Sequence, residues 1–88
     1  MNTDSIDCRK VEEIEKVGDF GFDELKKCLY IWLPGTTGPT AIPVRTQGPY
    51  PERVWQWDGN EEKPTLTPSI LFNGSWHGWL RNGRLCSC

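Results

Sequence analysis

The sequence predicts a single small domain that is mainly β, with a small α+β fold as the alternative, built on an antiparallel sheet with a C-terminal three-stranded meander and one short helical turn towards the N-terminus. Three observations predict it. Nine glycines and seven prolines divide the 88 residues into short pieces, which suit strands and turns better than long helices. Several of those pieces, such as Leu29-Tyr30-Ile31-Trp32-Leu33 and Ile70-Leu71-Phe72, are aliphatic and aromatic, the side chains that pack best on a pleated surface. Two Asn-Gly dipeptides, at 73–74 and 82–83, separate β-type runs, and Asn-Gly supplies the positive φ values that a tight hairpin turn requires.

Taken in order, residues 9–17 place Val11, Ile14 and Val17 three apart, a weakly helical spacing that also fits an edge strand around Val11. Gly18 ends that segment. Asp23-Glu24-Leu25-Lys26-Lys27 sets acids before bases, the order the helix dipole favours, and is assigned as the helical turn. Leu29 to Leu33 is apolar throughout and reads as a strand buried on both faces. Ala41 to Arg45 reads as an edge strand, because Pro43 has no N–H to give a ladder. Arg53 to Trp57 alternates as a strand does, and Asp58-Gly59 marks a turn.

In the tail, two-residue turns would fix the register. Phe72 then faces Ser75, Leu71 faces Trp76 and Ile70 faces His77. Beyond the second turn Arg81 faces Arg84, Leu80 faces Leu85, Trp79 faces Cys86 and His77 faces Cys88. The expected core stripe is Leu71, Trp76, Leu80 and Leu85. The other face carries Ile70, Phe72, His77, Trp79, Cys86 and Cys88.

Composition excludes several classes. Hydrophobic residues make up 36% of the chain and charged residues 25%, which rules out a membrane span, a collagen-like chain and a coiled coil. Five of the ten aromatics are tryptophans, so the core should be small and rich in indole. The net charge of −2 lacks the basic excess with which nucleic-acid binders neutralise phosphates. The N-terminal residues Met1 to Asp7 carry no basic region and no apolar run, so no signal peptide is expected. The expected location is the cytoplasm, with Cys8, Cys28, Cys86 and Cys88 as free thiols.

The segment Val54-Trp55-Gln56-Trp57-Asp58-Gly59, then Glu62-Lys63-Pro64-Thr65-Leu66-Thr67-Pro68-Ser69-Ile70, then His77-Gly78-Trp79-Leu80-Arg81-Asn82-Gly83-Arg84, resembles a family of small phage and bacterial proteins of unknown function. Some of its members have been labelled ammonia monooxygenase. The resemblance covers most of residues 11–86. It implies a zinc site in many members, built from a Cys-x-x-Cys and a His after the first strand and a Cys near the later His. Here residues 33–40 contain no Cys or His, Trp76 stands where a Cys would precede His77, and His77 alone remains of that set.

Four kinds of chemistry compete on these residues. A metal site would draw on His77, Cys86 and Cys88, but Cys-x-Cys on a flat strand is a poor chelate and structural zinc takes four ligands, so no metal or cofactor is expected. Catalysis would use His77 with a cysteine, yet a thiol on a terminal strand lacks the organised pocket that lowers its pKa. Nucleic-acid stacking would use Trp55, Trp57 or Trp79 with Arg53, Arg81 and Arg84, against the acidic balance. Protein binding suits an aromatic and arginine patch: Trp79 with Arg81 and Arg84, or Trp32 beside its loop. Edge strands offer a further route, to a partner sheet or to a homodimer. The expected function is therefore that of a phage-type accessory protein in the cytoplasm of the host bacterium. It would be non-enzymatic and would bind a host or phage protein, in interference with a defence or regulatory factor. A structural zinc-binding or degenerate zinc-ribbon module is the alternative.

Overall fold

The structure is a computed structural model that describes residues 5–72, 74 and 76–87. Ten strands follow one another: β1 (Ser5–Asp7), β2 (Arg9–Lys10), β3 (Asp19–Phe22), β4 (Cys28–Ile31), β5 (Thr40–Arg45), β6 (Trp55–Trp57), β7 (Leu66–Thr67), β8 (Ile70–Phe72), β9 (Trp76–Arg81) and β10 (Arg84–Ser87). They form two sheets, one of four strands in the order β1-β10-β9-β8 and one of six in the order β2-β3-β4-β5-β6-β7. Pairing is antiparallel except between β2 and β3 and between β5 and β6. The mainly β class expected from the sequence is what the chain adopts. No described helix is long and apolar enough to cross a membrane.

Alternation along the strands builds one core between the sheets. β5 buries Ile42 and Val44 and exposes the residues between them, while β9 buries Trp76, Gly78 and Leu80. Phe20, Leu29, Ile31, Leu33, Trp57 and Leu66 come from the six-stranded sheet and its connections, and Ile70 and Leu85 join from the other. Trp57 stacks on Phe22 with ring centroids 4.7 Å apart, so this indole belongs to the core and offers no stacking face to a base. β4 departs from the expectation of two buried faces. Leu29 and Ile31 are buried and Tyr30 is exposed, because only one side of the sheet meets the core.

The N-terminal helical turn is not formed. Residues 23–27 instead connect β3 to β4 in a hairpin loop. The Asp23 carboxylate accepts the N–H groups of Lys27 at 2.8 Å and Cys28 at 3.0 Å, and Lys26 sits at φ 57°. A side-chain acceptor that captures its own downstream amides stabilises a turn at the expense of a helix. Nor is β5 an edge strand: it lies between β4 and β6. Pro43 is tolerated there because the β6 ladder engages Val44 and Arg45, beyond the proline.

The C-terminal expectation needs two corrections. The tail strands do not stand as a separate three-stranded meander; β1 pairs with β10 and makes a four-stranded sheet. The β8–β9 register is also displaced by one residue, with Ile70 opposite Gly78, Leu71 opposite His77 and Phe72 opposite Trp76. Three residues, 73–75, thus separate the strands instead of two. Asn73 and Ser75 themselves lie outside the described residues, as does Cys88. A slip of one residue exchanges the faces of a strand. Leu71, expected in the core, is 65% exposed, and Ile70, expected outside, is buried. The second turn follows expectation. Asn82 and Gly83 take φ 50° and 75°, and Arg81 pairs with Arg84, Leu80 with Leu85 and Trp79 with Cys86.

Candidate active site

Two connections carry the chain between the sheets, β1 to β2 and β7 to β8, and the second carries the candidate site. β7 is the last strand of the six-stranded sheet and β8 is an edge of the four-stranded one. Only Pro68 and Ser69 separate them. Pro68 has no N–H to extend the β6–β7 ladder, so pairing stops at Thr67 and the chain crosses. Buried Leu66 and Ile70 anchor the crossing on either side. The approach is held too. Asp58 accepts the amides of Asn60 and Thr65, and Asn60 accepts those of Glu62 and Lys63. Ser69 is fixed by its own carbonyl, which accepts the indole N–H of Trp55 at 3.3 Å.

His77 approaches from β9. Its neighbours Trp76 and Gly78 face the core, so the pleat turns the imidazole outward. Trp76 is pinned by its indole N–H to the Ser87 hydroxyl at 2.9 Å. Gly78 is required beside it, because a Cβ there would collide with the Trp76 ring and with the carbonyl of Cys86. His77 stands directly opposite Leu71, and Ser69 lies two residues before Leu71, in the diagonal position on the same face. Long side chains reach across that diagonal. The Ser69 Oγ and His77 Nε2 are 3.0 Å apart.

A hydroxyl within hydrogen-bond reach of an imidazole has the geometry that a nucleophile and its general base require. With the proton on Nδ1, His77 accepts the Ser69 O–H at Nε2 and can remove that proton as the oxygen attacks. Among the described residues no carboxylate is hydrogen-bonded to His77, so the pair stands as a dyad. Cys8 does not compete for this role. Burial, with the nearby carboxylates of Asp7 and Asp19 adding to it, pushes Cys8 up to about 12, which leaves it protonated. Cys28 and Cys86 are half-buried free cysteines.

The residues expected to bind a partner are only partly assembled. Arg81 lays its guanidinium 4.2 Å from the centre of the Trp79 ring, and Arg84, opposite Arg81, forms a 2.8 Å ion pair with Asp7. Cys86 stands opposite Trp79. Trp32 belongs to the other sheet's connections, where its indole N–H holds the Thr36 carbonyl at 3.0 Å. Among the described residues no three His, Cys, Asp or Glu side chains gather where they could hold a metal ion.

An open groove of about 490 Å³ adjoins the dyad, lined by Ala41, Pro43, Arg53, Trp55, Leu71 and Phe72. Trp55 is the residue that holds Ser69, and Leu71 is the cross-strand partner of His77, so the groove and the dyad share their supports.

Residues 8–88 match the protein family described as Bacterial ubiquitination-like system serine protease (BubE). No curated protein matches the chain, and no solved structure does. The family match overturns the expectation of a non-enzymatic binding protein, with its zinc-ribbon alternative, and points to an enzyme. The catalytic pairing considered from the sequence is His77 with a cysteine, whereas the structure brings a serine to the imidazole. The serine went unseen because the expected register set Ile70, not Leu71, opposite His77 and so turned Ser69 to the other face.

Proposed function

Since the chain belongs to this family of serine proteases of a bacterial ubiquitination-like system, we propose that it hydrolyses amide bonds in polypeptides of such a system, with Ser69 as nucleophile and His77 as general base. The single observation that carries the reading is the 3.0 Å approach of Ser69 Oγ to His77 Nε2. It joins the only histidine in the chain to a serine that is held at the crossing between two sheets.

The chemistry runs in two halves. Ser69 Oγ attacks the carbonyl carbon of the scissile bond while Nε2 takes the hydroxyl proton. The tetrahedral adduct collapses, His77 returns that proton to the leaving amine, and an acyl ester remains on Ser69. Water then attacks the ester, His77 removes its proton and gives it back to Ser69 Oγ, and the acid is released. Ser69 needs a fixed position for this to be efficient, because misplacement of reacting atoms by an ångström is costly. The indole of Trp55 and the buried anchors Leu66 and Ile70 supply that position.

The reading is tested by hydrolysis of an activated ester and of polypeptide substrates by the wild type and by Ser69→Ala and His77→Ala variants. Each substitution should lower turnover by about three orders of magnitude or more. Both side chains lie outside the core, so the tryptophan emission and melting temperature should stay close to those of the wild type. Wild-type turnover in folded Ser69→Ala protein would refute the assignment.

A further inference from the structure

We propose that the substrate enters as an extended strand along the free edge of β8, fills the groove between β8, β5 and Trp55, and carries an acidic side chain that meets Arg53; this rests on the reading of Ser69 and His77 as the catalytic pair. Among the described residues β8 pairs only with β9, and its other edge carries no strand. An unpaired edge is a template for a further chain, which it recognises through backbone hydrogen bonds. On the opposite wall of the groove β5 is open at Ala41. Val44 donates its N–H to the Lys27 carbonyl, so by the alternation of an antiparallel ladder Ile42 also faces β4 while Ala41 faces away from it. The β6 ladder begins only at Val44, which leaves Ala41 without a neighbouring strand on the groove side among the described residues.

Leu71 and Phe72 of β8 and Ala41 and Pro43 of β5 line one groove, and Ser69 lies two residues before Leu71 in the chain. A polypeptide strand laid there would present its carbonyls in sequence to the serine. Side chains on the lining are mostly apolar, with Leu71 exposed and Phe72 half-buried, so aliphatic substrate residues are favoured on the side that faces them. Arg53 is the one charged residue of the lining, is exposed, and forms no ion pair among the described residues. Charge complementarity therefore selects an acid and disfavours a base at the position that reaches it.

The test uses the inactive Ser69→Ala protein for binding and the wild type for reaction. The probes are short capped peptides with aliphatic residues at alternate positions and one Asp or one Lys walked through the others. Binding is read from amide shifts of Leu71 and Phe72 and from tryptophan emission. Asp peptides should bind several-fold more tightly than Lys peptides at one position of the walk, Arg53→Glu should reverse that order, and N-methylation of the peptide backbone should weaken binding. Labelling of the wild type by a small fluorophosphonate is read alongside, as the check on Ser69 itself. Equal affinity across the set, absence of binding, or shifts confined to other strands would overturn the groove assignment while labelling of Ser69 persists. Ordered binding without any labelling would instead sink the dyad and leave the groove standing.

Discussion

Leu71 and His77 are direct cross-strand partners, and this pairing sets Ser69 on the same face of the sheet as the imidazole. A register one residue shorter would turn the hydroxyl towards the opposite face. The three-residue spacing between β8 and β9 is therefore part of what brings Ser69 to His77.

Gly78 holds that register. The Trp76 ring covers the place a side chain would take, and the Cys86 carbonyl closes it from the neighbouring strand. Gly78→Ala should destabilise the protein by about 1–3 kcal/mol or more, as overpacking of a tight site does. Because His77 lies between Trp76 and Gly78, turnover should fall further than the lost folded fraction explains. Urea unfolding alongside rates per folded molecule checks both effects. A variant with wild-type stability would show that the strand has more room than the structure allows.

Much of the fold is legible in the sequence where local chemistry decides it. Asn82-Gly83 specifies both its turn and the pairing of Arg81 with Arg84, because two positive φ values leave few alternatives. His77 is visible as the lone imidazole on a hairpin. Ser69 is not, because a serine after a proline has no signature of its own and acquires a partner only through the register of a neighbouring pair of strands. The loop at Asp23 misleads for a related reason. Its acid-to-base order suits a helix, but the carboxylate does more by capturing the amides of Lys27 and Cys28. The role of Pro43 likewise depends on where a partner strand begins, which lies outside the proline's own neighbourhood.

Asp19 is the buried polar anchor of β3. Burial pushes its carboxyl up, but the amides of Glu15 and Lys16 and the Arg9 guanidinium outweigh burial and hold it below the ordinary value of 3.8. The folded chain thus releases this proton more readily than the unfolded one. Its stabilisation is complete above the ordinary carboxylate range and is lost as acid titrates the folded carboxyl. Asp19→Asn should cost about 1–3 kcal/mol at neutral pH and should flatten the acid limb of a stability-against-pH curve. An unchanged limb would move the acid sensitivity to other groups.

Cys8 should resist alkylation. With its thiol pushed up to about 12 by burial, little thiolate is present at pH 8, and the thiolate is the reactive species. Iodoacetamide treatment of the folded protein followed by mass spectrometry should leave Cys8 unmodified, and modification should follow unfolding. Rapid labelling of Cys8 in folded protein would contradict the packing of β1 against β10.

The central claim is that Ser69 is a nucleophile made reactive by His77. Its most direct test is to treat the wild type, His77→Ala and Ser69→Ala proteins with a fluorophosphonate and to locate the adduct by peptide mapping. The account predicts a single phosphonylated residue, Ser69, in the wild type, formation slowed by at least about two orders of magnitude in His77→Ala, and no adduct in Ser69→Ala. An adduct on another serine, or a rate indifferent to the loss of His77, would contradict it.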